Sequence, residues 1–131
     1  MGLIQEKYRK DPWKVLASCI LLNRVVGKTA EPIIDEFFRR YPTPGHFLSG
    51  SRLKIISFLR PLGFYHAREK NLREMTKRLL QGIPFDQLPG IGRYGRDSYQ
   101  IFVEGNIRIK PEDEKLKQYI CDKTWKKETL I

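Results

Sequence analysis

Apolar residues recur at helical intervals along the chain, broken by glycine, proline and short polar runs, the pattern of amphipathic helices on a shared core. Trp13, Leu16, Ala17, Ile20 and Leu21 keep helical spacing behind Asp11, which can cap, and Pro12, which suits a first turn. Gly27 is read as the end of that helix. A second is expected from Thr29 to Arg40, with Ile33, Ile34, Phe37 and Phe38 as its apolar face. Residues Tyr41 to Gly45 form a break, and Phe47 and Leu48 then pack as a short turn. Ser51 can cap a helix through Leu59 whose buried side includes Leu53, Ile56 and Leu59. After the Pro61-Leu62-Gly63 loop, Phe64 to Leu80 reads as the longest helix, with Ala67, Leu72, Met75, Leu79 and Leu80 inward and cations outward; Gly82 stops it. Ile107 to Ile109 is briefly extended but has no partner strand. Pro111 begins a last helix through Leu116, Tyr119 and Ile120 to Trp125, and Met1 to Lys10 reads as a fraying terminus. The fold class is all-α.

One segment stands apart from this pattern. Leu88-Pro89-Gly90-Ile91-Gly92-Arg93-Tyr94-Gly95, between the apolar segment Ile83 to Leu88 and the run Arg93 to Phe102, reads as a helix-hairpin-helix over residues 84–104. Gly90 and Gly92 permit a tight hairpin opening straight into a helix, with N–H groups turned outward. A helix start offers partial positive charge and unpaired donors, which suits a DNA phosphate. Such contacts add affinity without sequence information, and Arg93 is grouped with them. Glycines also end helices for purely structural reasons, so the hairpin alone is a weak motif.

Asp113, in a loop at residues 105–115, follows about twenty residues beyond the hairpin. This spacing resembles the helix-hairpin-helix base-excision DNA glycosylases, in which a loop after the second motif helix carries a catalytic aspartate. Breaking an N-glycosidic bond builds positive charge on the sugar, so a carboxylate beside the anomeric carbon stabilises the transition state and can activate water. The plain alternative is that Glu112, Asp113 and Glu114 merely complement a helix dipole.

Composition sharpens the picture. The chain has 131 residues, the size of one domain, taken as 1–131, and a formal net charge of +10. A polyanion is the leading partner, because lysines and arginines on phosphates gain free energy by counterion release. Cys19 and Cys121 are too few for a four-thiolate iron–sulfur cluster and lack zinc-site spacing; no metal or other cofactor is expected. Cys19 reads as a small core residue. His46 and His66 receive no role. The apolar stretch Val15 to Leu22 is too short for a membrane span. A soluble, intracellular domain cut from a longer protein is expected, monomeric, and nuclear if the source is eukaryotic.

The resemblance then narrows. Leu3-Ile4-Gln5-Glu6, Asp11-Pro12-Trp13-Lys14, Leu22-Asn23-Arg24 with Gly27-Lys28, Pro61-Leu62-Gly63, the hairpin itself, Asp97-Ser98-Tyr99 and Pro111-Glu112-Asp113 with Lys115-Leu116 look like the catalytic domain of the methyl-CpG-binding-domain-containing thymine/uracil DNA glycosylase family. The resemblance implies two helical lobes around a DNA-binding cleft, and removal of thymine or uracil opposite guanine from a flipped nucleotide. By the same resemblance Arg24 enters the duplex, Leu62 probes beside the orphaned guanine, and Gln5, with Ile4, reads the pyrimidine edge. Gln5 suits this because an amide both donates and accepts. Tyr94 stands where bifunctional relatives carry a Schiff-base lysine, which implies a monofunctional enzyme in which Tyr94 meets the flipped base. Lys115 pairs near Asp113, touches DNA, or is a plain surface lysine. Each role has a bland counterpart: Arg24 as a cation at a helix C-terminus, Leu62 as a core contact, Gln5 as a solvated terminus. A catalytically silent helix-hairpin-helix DNA-binding module is the competing reading; a lyase or a damaged-purine glycosylase is a third.

Overall fold

The computed structural model describes residues 3–129, with side chains through residue 124. Among the described residues the chain is helical and without strands. In chain order the helices are α1 (Ile4–Lys7), α2 (Pro12–Leu22), α3 (Gly27–Arg40), α4 (Pro44–Ser49), α5 (Arg52–Leu59), α6 (Tyr65–Leu80), α7 (Gly92–Ser98) and α8 (Glu114–Thr129). Single 3₁₀ turns lie at Arg60–Leu62 and Phe85–Gln87, and α7 runs on into a π-helical turn at Tyr99–Val103.

The architecture is set by α2. It starts as its sequence dictates, with Pro12 in the first turn and the Lys14 N–H donating to Asp11 Oδ1 at 3.2 Å. Every side chain from Val15 to Leu21 is buried, which marks a helix enclosed on all sides. Trp13, Leu16, Ile20 and Leu21 enter the main core with Ile34, Phe37, Phe47, Leu59 and Leu72. The Trp13 indole N–H donates to Thr76 Oγ1 at 2.9 Å, satisfying its polar edge inside that core. Val15, on the other side, joins Ile101, Phe102 and Leu116 in a second, smaller core. Two helical lobes therefore share one helix.

Several expectations are corrected. Met1 to Lys10 is not a frayed end where it is described: Ile4 and Gln5 are buried in α1. Lys7 pairs with Glu31 at 2.7 Å and Asp35 at 2.9 Å, and Tyr119 donates to Glu6 Oε2 at 2.9 Å, so α1 is tied to both α3 and α8. Gly27 opens α3 and does not close α2, which ends at Leu22. Pro44 and Gly45 belong to α4, capped by Thr43. In α5, capped by Ser51 as expected, Leu53 is 80% exposed while Ile55, Ile56 and Leu59 are buried. In α6, Ala67 and Leu80 face solvent, and Arg68 and Glu69 take the buried positions. The first limb of the hairpin is a single 3₁₀ turn, since Pro84 and Pro89 bracket too few donors for a helix. Ile107 to Ile109 forms no strand, in keeping with its want of a partner, while α8 starts at Glu114, not Pro111.

Leu116 is fully buried between α8 and the second core. Leu116→Ala is expected to lower the unfolding free energy by about 2–5 kcal/mol, read as a shift of the urea midpoint. Leu53→Ala should stay within about 0.5 kcal/mol; comparable losses in the two variants would contradict this division of core and surface.

Candidate active site

Where the two lobes meet, an open cavity of about 820 Å³ is walled by α1, the α2–α3 connection, α7 and the approach to α8. Gln5, from the single turn of α1, is buried in its floor. Its amide nitrogen contacts the Tyr94 hydroxyl, Ser98 Oγ at 3.3 Å and Cys19 Sγ at 4.0 Å. An amide has two hydrogens, so these partners compete for them. Burial raises the pKa of Tyr94, with Cys19 and Asp113 adding to the shift against the opposing hydrogen bond from Gln5, so this phenol stays neutral at physiological pH. Burial likewise pushes the Cys19 thiol up to about 12.

Asp113 stands at the mouth of this cavity as the N-cap of α8. Its Oδ2 accepts the Leu116 N–H at 3.0 Å, and its backbone carbonyl accepts the Lys117 N–H at 3.0 Å. The capping alternative is thus real, and it leaves Oδ1 without a protein hydrogen-bond partner among the described residues. Lys115 lines the cavity too but makes no ion pair with Asp113 among the described residues; its Nζ lies 3.6 Å from where a Cβ on Gly27 would stand. The ion-pair expectation fails because Lys115 reaches across the cavity to the start of α3.

Arg24 sits on the loop between α2 and α3, exposed, with φ of 62°. Its side chain has no hydrogen bond or ion pair among the described residues and lines both the main cavity and a neighbouring one of about 170 Å³. A left-handed conformation costs a non-glycine residue about 1–2 kcal/mol. Among the described residues Phe64, at φ 46°, is the other such residue, 63% exposed and bordering the same smaller cavity. Leu62 is buried in the main core, so the exposed apolar side chain of this loop is Phe64.

Arg93 is committed to protein groups: it donates to the Lys110 carbonyl at 2.9 Å and pairs with Glu112 and, at 3.5 Å, with Asp97. This braces the segment leading to Asp113. Gly90 and Gly92 have φ of +82° and +56° and are exposed at the hairpin, while Leu88 and Ile91 between and beside them are buried. A side chain at Gly90 would also crowd Asn71, whose Cβ lies 3.0 Å from the position a Cβ would take.

The structure therefore gathers Ile4, Gln5, Arg24, Arg93, Tyr94, Asp113 and Lys115 around one cavity and leaves Leu62, Gly90 and Gly92 outside it. Sequence reasoning missed Phe64, Ser98 and the polar contact of Cys19. Ser98 lies one helical turn after Tyr94, a spacing that puts both on one face of α7; the backbone of Phe64 left no sequence signal. Among the described residues no three His, Cys, Asp or Glu side chains converge as a metal site, and no helix is long and apolar enough to cross a membrane.

Hairpin, cleft and shared central helix are those of a helix-hairpin-helix protein. The profile of the HhH-GPD superfamily of base excision DNA repair proteins matches residues 17–125, and the chain belongs to that family. It is 33% identical over 121 residues to a methyl-CpG-binding domain protein 4-like protein of Arabidopsis thaliana, covering 90% of this chain and 27% of that protein. It is 36% identical over 93 residues to a thymine/uracil-DNA glycosylase of Pyrobaculum aerophilum, covering 64% of this chain and 40% of the relative. The fold matches that of a thermostable thymine-DNA glycosylase with a TM-score of 0.72 at 22% identity, over 81% of this chain and 52% of the other. The chain thus spans from about a quarter to two fifths of the length of these curated relatives.

Cys121 is exposed and Cys19 buried. Iodoacetamide at mildly alkaline pH is expected to label Cys121 alone in the native protein and both thiols after denaturation, as read by mass spectrometry. A native Cys19 adduct would contradict the closed contact between Gln5 and α2.

Proposed function

We propose that this domain is a monofunctional glycosylase that removes thymine or uracil opposite guanine in double-stranded DNA, in repair of deaminated 5-methylcytosine and cytosine at CpG sites. The observation that carries the reading is the convergence of Gln5, Tyr94 and Asp113, from three separate helices, on one cavity beside the free guanidinium of Arg24. The name of the Pyrobaculum relative, a thymine/uracil-DNA glycosylase, supports the same substrate class, and the methyl-CpG-binding name of the Arabidopsis relative supports the CpG context.

In this reading the mispaired nucleotide turns out of the stack into the cavity, at a cost that a mismatch reduces. Arg24 fills the space it leaves, and Phe64, with Leu62 behind it, faces the orphaned guanine. Gln5 and the Ile4 backbone read the pyrimidine edge, and Tyr94 packs against the base. The C1′–N1 bond then breaks with its electron pair on the departing pyrimidine, which takes a proton from solvent. The Asp113 carboxylate stabilises the positive sugar and accepts a proton from the water that adds to C1′. Lys115 contributes positive charge near the phosphates of the flipped nucleotide, and Gly90 and Gly92 approach the DNA backbone. Arg93 acts through its brace on the Asp113 segment. Tyr94 has no amine with which to form a Schiff base, so the sugar–phosphate strand stays intact. The enzyme works as a monomer without a cofactor and, in a eukaryotic cell, in the nucleus.

The cap at Asp113 favours a second reading, a silent DNA-binding module whose aspartate only starts α8. Asn caps helices as well as Asp does, so Asp113→Asn separates the two. On end-labelled duplexes with G·T, G·U, A·T and A·U pairs, the wild type should give alkali-dependent breaks only opposite guanine. Asp113→Asn should keep mismatch binding and lose base release by about 10²–10⁴-fold. Tight binding with no base released by the wild type would support the silent module.

A further inference from the structure

The two left-handed residues are held by one side chain. Arg68, in α6, is 4% exposed, and its guanidinium donates to four backbone carbonyls. Nη1 reaches Ile20 O at 2.9 Å and Nη2 reaches Asn23 O at 2.7 Å, in the residue immediately before Arg24. Nε reaches Gly63 O at 2.8 Å, immediately before Phe64, and Nη2 also reaches Leu62 O at 3.3 Å. The guanidinium carbon lies 5.9 Å from the centre of the Phe64 ring. No carboxylate pairs with Arg68 among the described residues. The C-terminal carbonyls of α2 carry partial negative charge and take the place of a counter-ion.

A guanidinium spreads five N–H donors over three nitrogens in a fixed plane and so meets four carbonyls at once; an ammonium at the same place has three donors on one nitrogen and reaches fewer of them. The loops so joined are distant in sequence, and both border the smaller cavity of about 170 Å³. We propose that Arg68 is a positioning residue that locks the Arg24 and Phe64 loops into a single two-pronged wedge, which holds the mispaired duplex open. This rests on the glycosylase reading, with Arg68 acting through the wedge and not on the base.

The test uses a duplex with 2-aminopurine next to a G·U pair, whose fluorescence rises as the site unstacks, together with single-turnover base release. Arg68→Lys and Arg68→Met should each lower the opening amplitude, and cut base release from G·U by at least about tenfold at saturating enzyme corrected for active fraction. With uracil opposite an abasic site, where no partner base resists opening, the deficit should shrink to within about threefold. Equal deficits on both substrates, or wild-type opening amplitude, would overturn the proposal. A second measurement leaves Arg68 in place and covers the case in which its variants do not fold. Arg24→Ala and Phe64→Ala, made singly and together, should lose opening amplitude less than additively, because the prongs act as one unit; additive losses would overturn the proposal. Absence of base release by the wild type would instead overturn the glycosylase reading, an outcome separable from these.

Discussion

Enclosure of α2 is the constraint on which the rest of this structure depends. A helix buried from Val15 to Leu21 has no face left for solvent, so neighbours must cover it all round. The main core covers one side and the second core the other, through Val15. Neither core is closed without it, and their meeting along α2 creates the cleft. The same enclosure explains the strained turn that follows. The chain leaves the buried helix at Leu22 and starts α3 at Gly27, a reversal that puts Arg24 in the left-handed region and its side chain outside. A backbone cost of about 1–2 kcal/mol is tolerable there because α2 cannot shift to relieve it.

Polar groups inside this helical frame are arranged to different ends. Glu69 is fully buried but pairs with Arg73 at 2.6 Å and Arg52 at 2.9 Å, so its charge is compensated. Arg68 has carbonyls in place of a carboxylate. Gln5 has neutral partners only, Tyr94, Ser98 and Cys19, and this cluster borders the cavity. A floor of neutral donors and acceptors suits a pyrimidine, which is itself neutral and presents alternating donors and acceptors along one edge. The charged groups on the same cavity's lining are Arg24, Lys28, Arg93 and Lys115 with Glu31, Asp97, Glu112 and Asp113, and a phosphate backbone and a charged transition state would meet these.

The all-helical class, the α2 cap at Asp11, the α5 cap at Ser51 and the glycine hairpin were legible because each rests on local chemistry: a side-chain acceptor near free N–H groups, or a backbone that only glycine adopts easily. Burial within short helices was not. In α5, Leu53, Ile56 and Leu59 recur three apart and read as one face, but the contact with α6 buries Ile55, Ile56 and Leu59 and leaves Leu53 outside. In α6, Leu72 and Met75 are buried as their spacing predicts, but buried Arg68 and Glu69 contradict the ordinary rule that charges lie outside, so the exposure of Ala67 and Leu80 is not legible in the pattern. At the site, Tyr94 and Asp113 stand in compact motifs, and both line the cavity. Phe64 was missed because a left-handed φ at a bulky residue is imposed by tertiary contacts and has no signature in the sequence.

A common thread joins the residues that meet at the cavity: they stand at or near helix ends. Arg24 follows the last turn of α2, Tyr94 lies in the first turn of α7, Asp113 is the cap of α8, and Gln5 belongs to a helix of one turn. A helix end is the one part of a buried helix that can be both rigid and accessible, since its axis is held by packing while its terminal groups stay open. Asp113 illustrates the benefit. Capping engages Oδ2, Arg93 links Lys110 and Glu112 on the approach, and Oδ1 has no protein hydrogen-bond partner among the described residues. One side chain can therefore hold both the capping role and the proposed catalytic role: the hydrogen bond that starts α8 uses one oxygen and leaves the other for a sugar in the cleft.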